Sequence, residues 1–132
     1  MDCVNILIGH KPIININMLK MGVIGCGNWS LKILNEIEKN KSFNLNSIVC
    51  RQHNTKSIIF ENKIKIYENI ENFFSQNIID CVYVAGVPEL NLQVVKLAKK
   101  NKIPLILEKP ISNSYQNAKQ IQNIADENKI II

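Results

Sequence analysis

Gly25, Gly27 and Ser30 occupy the three small positions of a G-x-G-x-x-G pattern in GVIGCGNWS, residues 22–30. That spacing serves phosphate chemistry. The first glycine permits a tight turn, the second lets a pyrophosphate approach the backbone, and the third position must be small so that helix and strand can pack. Ser30 is small enough for the third place and is also a residue type that starts helices. A helix beginning here would offer free N–H groups and the positive end of its dipole to an anion. The pattern gains meaning from lying between an apolar strand-like run and a helical stretch. Without that setting the same glycines would only reverse the chain.

A second checkpoint lies about 20 residues further on, where an NAD site places an acid against the ribose hydroxyls. Here the sequence runs Cys50, Arg51, Gln52, His53, Asn54, with no carboxylate. A guanidinium at Arg51 would stack on adenine or clamp a 2′-phosphate through paired hydrogen bonds, which favours NADP over NAD. His53 and Lys56 could assist, or all three could be solvent-facing loop residues. Two further loops could face a ligand. IDCVYVAGVPELN, residues 79–91, leaves an apolar run at Ala85, Gly86, Val87 and Pro88. IPLILEKPIS, residues 103–112, passes directly from LIL to Glu108, Lys109 and Pro110. Open α/β sheets bind ligands at the carboxyl ends of their strands, so this charged pair reads as ligand-facing, with a solvated strand end as the plainer alternative.

The elements that must position these residues alternate in type. Strands are expected at 19–24, 44–50, 64–67, 79–85, 103–107 and 130–132. Helices are expected at 29–39 with Leu31, Leu34 and Ile37 inward, at 69–75 with Ile70, Phe73 and Phe74 inward, and at 90–101 with Leu90, Val94, Leu97 and Ala98 on one stripe. A last helix is capped by Ser112 or Asn113 and turns Ala118, Ile121, Ile124 and Ala125 inward. A short helix or turn falls at 56–61. This order predicts an α/β fold, a doubly wound parallel sheet of Rossmann type with helices on both faces, in a single domain covering 18–132. Residues 1–17 lie outside the scheme and read as an extra edge strand or an arm.

Composition excludes several classes. The chain has 132 residues, 46% of them hydrophobic and 20% charged, too apolar for disorder and long enough for one core. No apolar run reaches the ~18 residues of a membrane span, and no leader pattern is visible, so no membrane association is expected and a cytoplasmic location is. The net charge of +5 is densest at Lys96, Lys99, Lys100 and Lys102, a solvated helix end with no interleaved aromatics, so no nucleic-acid partner is expected. Cys3, Cys26, Cys50 and Cys81 form no C-x-x-C pair, which argues against a metal site. Cys50 and Cys81 read as buried thiols in a reducing compartment, without disulfides.

With GCGNW, the AGVP loop and EKP in this order, residues 19–132 resemble the amino-terminal domain of the glucose–fructose oxidoreductase, inositol dehydrogenase and rhizopine-catabolism (Gfo/Idh/MocA) family. The resemblance implies a dinucleotide cofactor and hydride transfer on sugar-like or polyol substrates. It implies that Gly25, Cys26, Gly27, Asn28 and Trp29 cradle the pyrophosphate, and that Ala85, Gly86 and Pro88 line the ribose and nicotinamide side. Glu108 and Lys109 would meet the nicotinamide ribose, and Lys109 would also reach the reacting hydroxyl as the catalytic residue. The peptide bond before Pro110 is often cis in the family. Where the family loop often reads A-T-P-P-x-x-H, this chain has Gly86-Val87-Pro88 and Asn91. The family's second domain, with its substrate contacts and proton-accepting histidine, is not expected within these 132 residues, since neither His10 nor His53 is placed for that role. Catalysis would then need that domain, and an exposed apolar face could lead to a homo-oligomer. The alternative is a stand-alone module that binds the dinucleotide without turning it over.

Overall fold

The computed structural model describes residues 4–8, 11–16, 18–51, 64–76 and 78–132. His10, His53, Lys56 and the turn expected at 56–61 lie outside the described residues. Two strands, β1 (Val4–Ile8) and β2 (Lys11–Ile16), pair antiparallel with each other in a two-stranded sheet of their own. They add no strand to the main sheet.

That sheet contains β3 (Leu19–Ile24), β4 (Phe43–Val49), β5 (Lys65–Tyr67), β6 (Cys81–Val84) and β7 (Leu105–Leu107). Its order is β5-β4-β3-β6-β7, and every pairing is parallel. The order reverses between β3 and β6, which creates a crevice at the carboxyl ends of those strands. Period-two alternation divides the side chains between two faces. Met21, Val23, Ile48, Cys50 and Tyr83 look to one side, where Leu34 and Ile37 of α1 (Asn28–Lys39) cover them. Ile24, Val49, Val82, Val84 and Leu105 look to the other. There they meet α2 (Ile70–Gln76), α3 (Asn91–Ala98) and α4 (Tyr115–Asn128). All four residues of β6 are buried, as a strand covered on both faces must be. Phe73 of α2 and Val94 and Val95 of α3 are wholly buried, and each such side chain contributes about 1.5–3 kcal/mol of apolar transfer.

Three local expectations are corrected. The cap of α4 is Ser114, whose Oγ accepts from the Asn117 amide at 3.3 Å. Ser112 instead accepts from the Ser114 amide at 3.1 Å, and Asn113 donates to Glu89. Both expected caps are thus spent shaping the approach to the helix. Val95 rather than Leu97 completes the buried stripe of α3, Leu97 being half-buried. Residues 130–132 form no strand. Lys129, in the left-handed conformation at φ 54°, ends α4. Ile130 is then buried, and the Ile131 carbonyl accepts one hydrogen bond from the Leu105 amide at 2.9 Å.

Candidate functional site

The turn after β3 is shaped by a backbone that only glycine tolerates well. Gly25 has φ +111°, and a Cβ there would lie 2.8 Å from the Ala85 carbonyl oxygen. The close approach is held by the Ala85 amide donating to the Ile24 carbonyl at 2.8 Å and the Gly25 amide donating to that of Val49 at 3.0 Å. The ends of β3, β4 and β6 are thereby drawn together under the loop. Gly27 serves the opposite purpose. It caps α1 in an extended conformation, and a Cβ built on it would meet nothing within 4 Å. No side chain caps α1 and no acid sits in its first turn, so its leading amides and dipole remain available to an anion. Ser30, the third small residue, is wholly buried, and its Oγ has no hydrogen-bond partner among the described residues.

A cleft of about 410 Å³ opens above this loop, lined by Gly25, Cys26, Gly27, Arg51, Ala85 and Gly86 together with Ile24, Val49, Ile70, Val87 and Leu90. The structure therefore gathers six of the expected site residues around one cavity, with the exposed Arg51 at the end of β4. The residues present fit a dinucleotide: a bare helix N-terminus, open space at Gly27, apolar walls, and a guanidinium on the side expected for the adenosine. Asn28, Trp29, Pro88, Glu108 and Lys109 do not line this cavity. Asn28, Trp29 and Lys109 are exposed, and Pro88 opens a one-turn 3-10 helix ahead of α3.

Cys26 and Cys50 depart from expectation. Both are buried, but they form a disulfide, with Cα atoms 5.3 Å apart. The turn at Gly25 folds the loop back over the end of β4, which brings together two cysteines that no C-x-x-C pattern announces. The disulfide ties the loop to the strand end that carries Arg51. Cys81 remains a free thiol, and its pKa is raised by burial and then by the Asp80 charge.

The loop after β7 is fastened at three points. The Glu108 amide donates to the Val84 carbonyl at 3.2 Å. Asn91, buried at the start of α3, donates from Nδ2 to the Ile111 carbonyl at 2.9 Å. Its Oδ1 has no partner among the described residues. The Glu108 carboxylate accepts from Tyr83 Oη and, at 2.9 Å, from Trp29 Nε1. Between these points the Lys109–Pro110 peptide bond is cis. The hydrogen bond from Tyr83 and then that from Trp29 hold the Glu108 carboxyl below its usual range. Burial first, and then the bond to Glu108, push the Tyr83 phenol up. An acid with a lowered pKa stabilises the fold above its ordinary range and loses that contribution as pH falls. An acid with a raised pKa loses its contribution as pH rises. The pair is therefore intact across the whole interval between ordinary carboxylate and ordinary phenol titration.

Sequence reasoning missed Tyr83 and the structural part played by Asn91. Tyr83 lies in a continuous apolar run and reads as core, which it also is. Its hydroxyl, the one polar side-chain atom in VYV, was the available signal. Among the described residues no cluster could hold a metal ion, and no helix is long and apolar enough to cross a membrane.

Comparison with known proteins places this site in context. The model of the oxidoreductase family GFO_IDH_MocA, NAD-binding Rossmann fold, matches residues 19–132. A curated protein from Streptococcus pneumoniae serotype 4, named an uncharacterised oxidoreductase, is 26% identical over 113 residues, covering 86% of this chain and 30% of that protein. The crystal structure of an oxidoreductase from Agrobacterium radiobacter, in complex with NAD+, L-tartaric acid and magnesium, superposes with a TM-score of 0.80 at 23% identity, covering 86% of this chain and 34% of that one. Myo-inositol 2-dehydrogenase from Lactobacillus plantarum superposes with a TM-score of 0.81 at 14% identity, covering 88% and 35%. The chain thus spans about one third of the length of the relatives it matches.

Proposed function

This chain belongs to the Gfo/Idh/MocA oxidoreductase family as its NAD-binding Rossmann domain, and on that premise we propose that it binds NADP(H) in preference to NAD(H) and serves hydride exchange with a sugar-like or polyol substrate. The observation that carries the cofactor assignment is the cleft at the switch point, where Gly27 leaves open space before an uncapped helix start. The first-turn amides of α1, from Asn28 and Trp29 onward, would hold the pyrophosphate. Ala85 and Gly86 would border the ribose beyond it. Arg51 supports the NADP preference, because it stands where an acid would otherwise accept from the ribose hydroxyls.

When bound, the nicotinamide supplies hydride donation or acceptance. The chain's own contribution to that chemistry is Lys109, exposed on a loop whose two ends are fixed by Glu108 and Ile111. A cation held in place can orient a substrate hydroxyl and stabilise alkoxide charge as it develops. The polyol reading draws on family membership and on the inositol dehydrogenase among the structural relatives. The groups that select the substrate belong, in this proposal, to the part of the relatives that these 132 residues do not span.

Trp29 is the sole tryptophan and stands in the first turn of α1, two residues from Gly27 of the cleft, so its emission is expected to report binding. Titration with NADPH should quench it saturably, with energy transfer to the reduced nicotinamide. NADPH should bind at least about tenfold more tightly than NADH, the value of one charge-assisted contact. Arg51→Ala should remove that preference while leaving NADH affinity nearly unchanged. Tighter NADH binding would sink the NADP assignment, and no response to either nucleotide from folded protein would sink the cofactor reading itself.

A further inference from the structure

Three polar atoms from distant parts of the chain meet at the carboxyl ends of β6 and β7. Trp29 Nε1, in the first turn of α1, lies 2.9 Å from Glu108 Oε1 and 3.2 Å from Tyr83 Oη, and Tyr83 Oη also donates to Glu108. These residues are separated by 54, 79 and 25 positions in the chain. Tyr83 is 7% exposed and rooted in β6, whereas Trp29 is 54% exposed. An indole so open to water has no packing reason to keep one orientation. Its N–H is nevertheless held by a carboxylate that a buried phenol holds in turn. Glu108 is therefore turned toward the first turn of α1 and does not line the cleft formed by Gly27 and Arg51.

We propose that Tyr83 is a positioning residue for the cofactor site, fixing the Glu108 carboxylate on the Trp29 indole so that the phosphate-binding end of α1 and the loop bearing Lys109 form one unit before any ligand arrives. The inference rests on the dinucleotide reading above. Its physical content is preorganisation. Two loops that bind opposite ends of one extended ligand would otherwise each be ordered at the moment of binding, and that ordering would subtract from affinity. The link is charge-assisted, since both donors converge on one carboxylate. The backbone bond from Glu108 to Val84 and the side-chain bond from Asn91 to Ile111 hold the far side of the same loop. The Tyr83–Glu108–Trp29 contact is its only fastening to α1 among the described hydrogen bonds.

The test uses the single indole. In the ligand-free protein its N–H gives one resonance, expected downfield and slow to exchange because it points at a carboxylate. Glu108→Gln should move it upfield and speed its exchange, and Tyr83→Phe should move it the same way by less. Calorimetric titration with NADPH should show affinity reduced about fivefold by Tyr83→Phe, the worth of one typical hydrogen bond. The double variant should bind no worse than Glu108→Gln alone, since the phenol acts through that carboxylate. Far-UV dichroism of each variant controls for folding, and Tyr83→Phe keeps the buried ring. An indole resonance indifferent to both substitutions overturns the proposal. So does wild-type affinity in Tyr83→Phe, or additive losses in the double variant. If the wild-type chain binds neither nucleotide, the dinucleotide reading fails and the positioning role with it. The ligand-free resonance then still separates that outcome from a contact that never forms.

Discussion

Gly25 and Gly27 are two residues apart and answer to different constraints. At Gly25 the backbone sits at a positive φ of +111°, which side chains rarely adopt, and a carbonyl blocks the place a side chain would take. Gly25→Ala should therefore cost about 1–3 kcal/mol of stability, by strain and by displacement of Ala85. Equilibrium denaturation measures it. At Gly27 the conformation is one any residue adopts, and the space beyond is open. Gly27→Val should leave stability within about 1 kcal/mol of wild type and abolish measurable NADPH binding, because the new side chain takes the room that the proposed site gives to the phosphates. Equal losses of stability in both variants would mean that the second glycine is architectural. The sequence pattern assigned a turn to the first and a close phosphate approach to the second, but a spacing rule carries no information about which neighbour each glycine faces. The same limit hid the direction of Glu108. Its residue type and its place after LIL were legible, but the phenol that turns it toward α1 comes from a strand 25 positions earlier.

At the scale of elements the sequence was most informative where hydrophobic period and length agreed. β3 begins and ends at 19 and 24 as expected, α2 buries the face that its spacing predicts, and α1 buries Leu34 and Ile37 of its expected face, with Leu31 half-buried against the same core. The tail at 130–132 misled because three consecutive isoleucines have high strand propensity whatever lies beside them. Only tertiary context decided that Ile130 would plug the core and Ile131 would stay 73% exposed. The disulfide was illegible for a related reason. Pairing depended on how far the Gly25 turn folds the loop over β4, a distance no local pattern encodes. The bond closes a loop across a sequence separation of 24. Chain entropy alone then assigns it about 3–4 kcal/mol. Denaturant unfolding with and without a thiol reductant should show a difference of that size. Cys26→Ser/Cys50→Ser should match the reduced protein and no longer respond to reductant. A wild-type midpoint that ignores the reductant would show that the two sulfurs stay unbonded in solution.

The whole molecule divides unequally. The five-stranded sheet and the four described α-helices enclose both cores, and the family match begins at residue 19. Among the described hydrogen bonds, the start of β3 is anchored to downstream residues. The Leu19 amide donates to the Ser42 carbonyl at 2.9 Å, and the Lys20 amide to Asp80 Oδ2 at 2.7 Å. The Lys20 carbonyl in turn accepts from the Asp80 amide at 2.8 Å. Among the described residues, β1 and β2 pair with each other and not with β5 or β7, the edges of the main sheet. A two-stranded ribbon is marginal by itself. A chain beginning at Met18 should therefore unfold in one transition, with its Tm within about 4 °C of the full chain, a difference below about 1 kcal/mol. Its NADPH affinity should be unchanged, because every described residue lining the cleft lies downstream of Met18. Thermal melting and calorimetric titration of the shortened chain decide it. A large fall in Tm with affinity retained would make the ribbon a structural buttress of the sheet. Loss of affinity in a folded shortened chain would place residues 1–17 at the dinucleotide site itself.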